Sequence, residues 1–548
     1  MPILIIPYLS TKVNIQNKAF LIAKPSLFPY NLFMPLDDIR QARVEKLNNL
    51  RKAGVDPYPA STARTHSNAQ VLESFADLET SADSVTVAGR VLAVREHGGS
   101  AFLDLVDGSA KLQIFLKKDL VGEEAYQLLI ANLDIGDFLE VTGTAFKTKK
   151  AEPTIQASAY KFLVKTLLPL PEKWHGLQDV EERFRKRYLD FIFNPEAKEK
   201  IKTRSEVIQT LRNFMLGNNF LEVVTPTLQP IYGGASARPF KTHLHALDID
   251  LFLRIAPELY LKRLLVGGLD RVFEFTTNFR NEGMDRDHNP EFSVLEFYAA
   301  YQNLEWLMNF SEELFANLLE SVFGNLTIKY QEQEISFQRP FKRARFTDLL
   351  KEYTGLDFDA DDEKTFRAKA EELKIKIEKD IAKTGLADEL FKKVIRPKLV
   401  EPIFVHDYPE EMLPLAKKLA VPVPILNRAL SQTRPAGTDF NRQATSARGS
   451  YVGAFQFYAG GLELIKAFSE LNDPLDQRER FKKQENKRAK GDEEAQRMDD
   501  DFIEALEYGM PPAAGWGLGI DRLVALLTDS HSIREVILFP LMRPKKEE

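Results

Sequence analysis

Three charged residues in two segments of the chain are candidates for binding a ligand. Arg280 and Glu282 end an alternating apolar run, and Arg522 follows the glycine-spaced stretch 515–519. A charged side chain in apolar surroundings is costly unless it has a partner, which is either another protein group or a ligand. The glycines allow close approach of a ligand to the backbone, and the arginine stands at the start of a helical run. Taken alone, each charged residue favours a structural ion pair.

The elements that carry these residues follow from the spacing of apolar residues. Arg271–Arg280 and Phe292–Tyr298 alternate as strands do, and the polar residues between them predict a hairpin with a long loop. The alternation places Phe292, Val294, Glu296 and Tyr298 on one strand face. The glycine-spaced stretch predicts a turn. It lacks the lysine and Ser/Thr of a P-loop and does not fit the dinucleotide fingerprint.

Residues 85–165 change to short alternating runs broken by turn signals such as Asp107-Gly108. Strands are predicted over residues 85–90, 101–105, 111–116 and 137–144, and a helix over residues 123–130. About five strands and one helix within roughly 80 residues are typical of an OB barrel, whose surface commonly stacks single-stranded bases.

The rest of the chain divides around this barrel. A helical segment is predicted over residues 36–84, the barrel over 85–167, a linker over 168–193 and one large domain over 194–548. Within that domain, residues 342–430 are charge-rich and predicted to be mainly helical, as an insertion would be.

The amino-acid composition excludes several classes of protein. The 548 residues include no cysteine, which excludes disulfides and thiolate chemistry and suits the reducing cytoplasm. The net charge of −6 argues against a wholly basic nucleic-acid coat but leaves room for a local basic face. The first apolar run, residues 1–9, is too short for a membrane span and lacks a cleavage site. Residues 1–35 form an extension, and either translation from Met34 or a short translated segment explains it.

Several motifs together resemble those of one enzyme class. Phe279–Glu282 and Gly517–Arg522 resemble motifs 2 and 3 of class II aminoacyl-tRNA synthetases, and Phe220–Pro226 resembles motif 1. Further matches are Gly233–Ala235, Ala256–Lys262, His288–Phe292 and Phe468–Asp473. This set is similar to the lysyl-tRNA synthetases of the class II, bacterial type, and the match extends over residues 36–545.

The resemblance implies a fold and an activity. The fold would be α+β, with an N-terminal OB-fold β-barrel before a class II antiparallel-sheet catalytic domain that carries a helical insertion. The activity would join L-lysine to ATP as lysyl-adenylate, release pyrophosphate and transfer lysine to the 3′ end of tRNA(Lys). Motif 1 of the class places its proline, here Pro226, at a homodimer interface.

By the same resemblance, the motif residues would bind ATP. Arg280 would bridge the lysine carboxylate and the α-phosphate, and Arg522 would cover adenine or pair with the γ-phosphate. The other implied ATP contacts are Glu282, His288, Asn289, Phe292 and Glu463. Mg²⁺ is the implied cofactor, with Glu463 as one ligand and Gln456 at the position where the family has a second glutamate.

The implied lysine pocket combines residues from distant motifs. Glu296, Tyr298 and Glu470 align with groups that bind the ε-ammonium, and Gly234 and Glu258 with groups that hold the α-amine. Arg280, Phe468 and Lys466 complete it. Lys466 stands where the family usually has asparagine. It would pair either with the substrate carboxylate, which we favour, or with Glu470.

The barrel would read the anticodon. Arg95, Phe102, Gln113 and Glu152 align with the family's contacts to a uridine-rich triplet, and Phe115 is a second strand aromatic. Two alternatives remain open: a relative that attaches lysine to a protein, and a catalytically silent RNA-binding paralogue. The barrel argues against the first, since those relatives lack it. An aspartate or asparagine synthetase would need cations in place of Glu296 and Glu470.

Overall fold

The computed structural model describes residues 35–171, 179–377, 381–419, 451–489 and 494–545. Residues 1–34 of the predicted extension therefore lie outside the described residues, as do parts of the linker and of the predicted insertion. The chain divides into two compact units, residues 1–175 and 176–548.

In the described residues, the first unit has a helix followed by a small β-barrel with further short helices. Its helices are α1 (Leu36–Lys52), α2 (Asn68–Glu73), α3 (Phe75–Ser81), α4 (Lys118–Val121) and α5 (Glu123–Asn132). Its strands are β1 (Ser84–His97), β2 (Ser100–Val106), β3 (Lys111–Lys117), β4 (Phe138–Lys147) and β5 (Pro153–Val164). In α1, acidic residues fill the first turn and basic residues the last, which suits the helix dipole.

The five strands close into a barrel in the order β1-β2-β3-β5-β4. Alternation along β2 explains its two faces: Ala101, Leu103 and Leu105 are buried in the barrel core, while Phe102 and Asp104 are half-buried on the outside. Five strands and a connecting helix confirm the predicted barrel.

The second unit is built on one large sheet. Its helices are α6 (Val180–Arg185), α7 (Arg187–Phe193), α8 (Pro195–Gly217), α9 (Glu258–Val266), α10 (Leu304–Phe323), α11 (Phe346–Thr354), α12 (Glu363–Glu372), α13 (Lys383–Leu390), α14 (Pro474–Ala489), α15 (Asp500–Glu507) and α16 (Ile520–Leu527). Its strands are β6 (Leu221–Glu222), β7 (Leu228–Gln229), β8 (Lys241–Leu244), β9 (Ile249–Leu253), β10 (Arg271–Phe279), β11 (Glu291–Ala300), β12 (Thr327–Tyr330), β13 (Gln333–Ser336), β14 (Lys342–Arg345), β15 (Ile403–Pro409), β16 (Tyr451–Ala459), β17 (Leu462–Ser469) and β18 (Ala513–Gly519).

The sheet has the strand order β14-β15-β16-β17-β18-β11-β10-β6. Neighbours from β15 to β10 are antiparallel, and the outermost pair at each edge is parallel. Strands β14 and β15, at the two ends of the described helices within residues 342–419, belong to this sheet.

The two faces of the sheet have different roles. One face packs against helices α8, α10 and α16 and forms the main apolar core, to which β18 contributes Ala514, Trp516 and Leu518. The residues between these, Gly515, Gly517 and Gly519, face the opposite side and line a cavity. The glycine-spaced stretch is therefore a central strand, and the prediction of a turn was wrong. A Cβ atom on Gly515 would clash with the side chains next to it, whereas on Gly517 or Gly519 it would make only ordinary contacts.

Candidate active site

Strands β16, β17 and β11 present polar residues on the cavity side of the sheet, and the glycines of β18 lie between β17 and β11. The cavity has a volume of about 630 Å³. Its lining includes Gly234, Glu258, Arg280, Glu282, His288, Asn289, Phe292, Glu296, Tyr298, Gln456, Glu463, Lys466, Phe468 and Arg522. These are the residues predicted for the catalytic domain except Glu470, which lies in the wall behind Gly515. The structure thus brings the predicted set together.

Three buried carboxylates lie at the cavity wall: Glu258 and Glu296 line the cavity, and Glu470 lies behind Gly515. Glu258, Glu296 and Glu470 are 5%, 9% and 1% exposed, and the Tyr298 hydroxyl donates to Glu296 at 3.5 Å. Burial, together with the charge of Glu258, raises the pKa of Glu296 to about 8. Burial also raises the pKa of the Glu470 carboxyl, against the attraction of the Lys262 ammonium. A cationic ligand would favour the ionised forms of these carboxyls, which burial disfavours.

Lys262 is the residue that the sequence analysis quoted without assigning it a role. Its side chain is fully buried, and its Nζ lies 2.6 Å from Glu258 Oε1 and 2.5 Å from Glu470 Oε2. Burial lowers the pKa of Lys262, but the two carboxylates outweigh burial and raise it overall. The i, i+4 spacing of Glu258 and Lys262 on α9 was visible in the sequence, whereas the contact with Glu470 was not.

Two glycines make room for these side chains. A Cβ atom on Gly515 would lie 1.9 Å from Glu470 Oε1 and 2.5 Å from the Tyr298 ring. Gly234 has φ of +86°, and a Cβ atom there would lie 2.8 Å from Glu258 Cβ. Both positions therefore require glycine.

The hairpin predicted around Arg280 is confirmed, with β10 and β11 paired in register from Arg271–Ala299 to Phe279–Glu291. Arg280 follows β10, and its guanidinium lies 5.0 Å from the centre of the Phe292 ring. Its Nε is buried without a hydrogen-bond partner. Glu282 is exposed on the loop.

Arg522 reaches the same loop from helix α16. It donates to the Glu463 carbonyl at 3.2 Å, and its Nη2 lies 3.0 Å from His288 Nε2. Asp285 contacts the other ring nitrogen of His288 at 2.8 Å. Asn289 donates to the Glu291 carbonyl at 2.6 Å. The two arginines thus supply positive charge at the middle of the cavity.

A buried ion pair that the sequence did not reveal fixes helix α16 to the hairpin. Asp521 accepts from Arg204 Nη1 at 2.6 Å and from the Ser293 backbone at 2.8 Å. Arg204 also donates to the Ser293 hydroxyl at 3.0 Å. Asp521 precedes Arg522, so this network sets where Arg522 points.

Gln456 and Lys466 are directly opposite each other on β16 and β17. The Gln456 amide oxygen accepts from the hydroxyls of Tyr408 at 2.7 Å and Tyr458 at 2.6 Å, and its nitrogen donates to Glu463 at 3.2 Å. Because both lone pairs of that oxygen are engaged, the arrangement does not favour Gln456 as a metal ligand. Lys466 is exposed to the cavity, and its ammonium makes no ion pair with any described residue.

A carboxylate such as Glu463 suits Mg²⁺, whose ligands are oxygens and water. Among the described residues, no group of three or more His, Cys, Asp or Glu side chains could hold a metal ion. Nor does any helix in the described ranges have the length and apolar character needed to cross a membrane.

The residues predicted to contact RNA lie on the barrel. Phe102 and Phe115 are cross-strand neighbours with ring centres 4.8 Å apart, and Phe146, which the sequence analysis did not name, lies 5.9 Å from Phe115. All three are half-buried. Beside them, Arg95 donates to Asp104 at 2.7 Å.

The remaining polar positions lie nearby on the barrel. The Gln113 side-chain oxygen accepts from Thr154 at 3.0 Å. Glu152 is exposed in the loop before β5. A row of partly exposed rings bordered by polar groups is an arrangement on which nucleic-acid bases can stack.

Comparisons with known proteins agree with both units. Residues 179–543 match the family model of class II tRNA synthetases (D, K and N), and residues 85–163 match that of the OB-fold nucleic acid binding domain. The lysine–tRNA ligase of Carboxydothermus hydrogenoformans is 47% identical over 93% of this chain and 99% of its own length. That of Pelotomaculum thermopropionicum is also 47% identical, over 93% and 96%. That of Bacillus subtilis is 43% identical, over 93% and 98%. The α+β fold predicted from the motifs is confirmed, and the chain belongs to the lysine–tRNA ligase family of class II tRNA synthetases.

Proposed function

We propose that this protein activates L-lysine with ATP and transfers it to tRNA(Lys). The observation that carries the proposal is the group of three buried carboxylates, Glu258, Glu296 and Glu470, of which Glu258 and Glu470 share the buried ammonium of Lys262. A substrate with two ammonium groups would balance the remaining charge, and lysine has them at its two ends. A neutral isostere would leave the carboxylates unpaired, so the pocket would reject it strongly.

In the proposed first step, a lysine carboxylate oxygen attacks the α-phosphorus of ATP, and the bond to pyrophosphate breaks. Arg280 would hold both anions, because its guanidinium offers parallel donors and its buried Nε has no hydrogen-bond partner among the described residues. Arg522 would stabilise the triphosphate from α16, with His288 and Asn289 beside it, and Phe292 would pack against adenine.

Two further groups would supply charge. Glu463 is the carboxylate that would hold a Mg²⁺ ion, which neutralises the triphosphate when bound. Lys466 is placed to meet the substrate carboxylate from β17. In the second step, a terminal ribose hydroxyl of tRNA attacks the adenylate carbonyl, and AMP leaves. No covalent intermediate with the enzyme is needed.

The barrel would bind the anticodon through stacking on Phe102 and Phe115, with Arg95, Gln113 and Glu152 contacting base edges. Arg95 would have to exchange its ion pair with Asp104 for a base contact. tRNA, ATP and L-lysine are thus the proposed partners.

We also propose a homodimer in the cytoplasm. The motif 1 segment exposes Leu221, Val224 and Leu228, with 51%, 90% and 47% of their surface accessible. Exposed apolar residues grouped in one segment are typical of an interface. Light scattering at micromolar concentration should give the mass of two chains, and Val224→Asp should give one.

Lysine-dependent ATP–pyrophosphate exchange over a panel of amino acids tests the proposal. Exchange with lysine alone, followed by charging of tRNA(Lys), is expected. Glu470→Gln should raise the lysine concentration needed by about two orders of magnitude while ATP affinity stays unchanged. A folded protein that binds tRNA but shows no exchange would instead be a silent RNA-binding paralogue, to which Gln456 and Lys466 give some support.

A further inference from the structure

Lys262 joins the two ends of the substrate pocket. Glu258 begins helix α9, and Glu470 directly follows strand β17, so the two carboxylates come from separate elements. The Lys262 ammonium contacts one oxygen of each, at 2.6 and 2.5 Å, and lies 5.5 Å from the centre of the Phe468 ring. Their separation is therefore fixed by a single group.

Each carboxylate keeps one oxygen for another partner. Glu470 Oε1 lies beside Gly515 and Tyr298 without a hydrogen-bond donor from the described residues. Glu258 lines the cavity. Under the proposed function, these two carboxylates receive the ε-ammonium and the α-ammonium of the same substrate molecule.

We propose that Lys262 is a positioning residue that sets the distance between the two ammonium sites and so selects lysine over diamino acids of other chain lengths. The inference rests on the proposed function. Because both carboxylates are buried and held by the same cation, neither can follow a shorter or longer substrate without losing a charge-assisted bond.

If Lys262 had only a structural role, its replacement would have different effects on stability and activity. Replacing a buried ion pair by apolar groups is often neutral for stability, whereas removing one partner is destabilising. A structural Lys262 would therefore affect stability and the activity with all substrates alike. A positioning Lys262 would change the ratio of activities between substrates.

The test compares lysine with ornithine, which is one methylene shorter, in ATP–pyrophosphate exchange. A methylene is ordinarily discriminated by about 10- to 200-fold. We expect Lys262→Met to raise the KM for lysine and to lower the lysine-to-ornithine ratio of kcat/KM by at least about tenfold, with ATP affinity unchanged. Lys262→Arg keeps a cation between the carboxylates, but the guanidinium is larger than the ammonium, so this variant should also lower the lysine-to-ornithine ratio.

Lys165 provides a matched control in the barrel. It too is a fully buried lysine between two carboxylates, Asp134 at 2.5 Å and Asp137 at 2.7 Å. Lys165→Met should lower the melting temperature and leave the ratio as it is in the wild type.

An unchanged ratio in a folded Lys262→Met or Lys262→Arg protein would overturn the inference. If the methionine variant does not fold, the arginine variant decides, since it retains a cation between the carboxylates. Absence of lysine exchange in the wild-type protein would instead refute the proposed function, so the two failures are distinguishable.

Discussion

Adding one methyl group at Gly515 should strongly impair the use of lysine. The added methyl group of Gly515→Ala would lie 1.9 Å from Glu470 Oε1, whereas ordinary van der Waals contact begins at 3.4 Å. Glu470 would have to retreat by about 1.5 Å, and its 2.5 Å contact with Lys262 opposes that movement. A misplacement of about 1 Å in an active site costs about 100-fold in rate. We therefore expect kcat/KM for lysine to fall by at least about 100-fold, equivalent to about 2.7 kcal/mol.

Gly517→Ala is the matched control, because a Cβ atom there would lie 3.4 Å from Glu296 Cγ, an ordinary contact. Both variants would be assayed by lysine-dependent ATP–pyrophosphate exchange, with ATP affinity measured by calorimetry and folding by thermal denaturation. Loss of lysine use only in Gly515→Ala, with ATP affinity retained, is the expected pattern. A folded Gly515→Ala protein with normal lysine kinetics would refute the position assigned to Glu470.

Three further predictions concern pH, stability and RNA. Because the pKa of Glu296 in the free protein is about 8, its carboxyl is mostly protonated at neutral pH, and a bound ammonium should favour ionisation. Lysine binding should then release protons, and below that pKa the affinity for lysine should rise with pH, by up to about tenfold per pH unit. Calorimetry in buffers of different ionisation enthalpy that detects no proton release would contradict this. Arg254→Met removes the cation that lies 2.6 Å from the buried Glu274 carboxylate and leaves that carboxylate with hydrogen bonds from Thr225 but no counter-charge, so denaturant unfolding should show a loss of about 3–5 kcal/mol, and a negligible loss would contradict a stabilising role for this ion pair. Phe102→Ala should weaken tRNA charging by about 5- to 100-fold through lost stacking while pyrophosphate exchange is unaffected; equal loss of both activities would indicate a folding defect.

Local patterns predicted the elements whose residues depend on near neighbours. The hairpin of β10 and β11, the helix over Leu36–Lys52 and the barrel strands all follow from spacing and turn residues. Within the predicted linker, residues 180–193 form two helices separated at Lys186. Nothing in its spacing marks that break.

Contacts between residues far apart in the sequence could not be predicted from local sequence patterns. The strand Ala513–Gly519 was mistaken for a turn, since glycines are rare inside strands and the reason for Gly515 is Glu470, a neighbour far away in the sequence. The contacts of Lys262 with Glu470 and of Arg204 with Asp521 likewise join residues far apart in the chain. Motif resemblance supplied most of the site, while the geometry that connects its members came only from the fold.

The division of the sheet into a core face and a cavity face limits how the chain can change in length. Along β11 and β18, successive residues alternate between the apolar core and the cavity. Inserting or deleting one residue in either of these strands would turn core side chains into the cavity and cavity side chains into the core. Such an insertion or deletion would therefore abolish stability and activity together. Changes in length are expected to accumulate instead in loops that carry no residue of the site, such as residues 301–303 between β11 and α10.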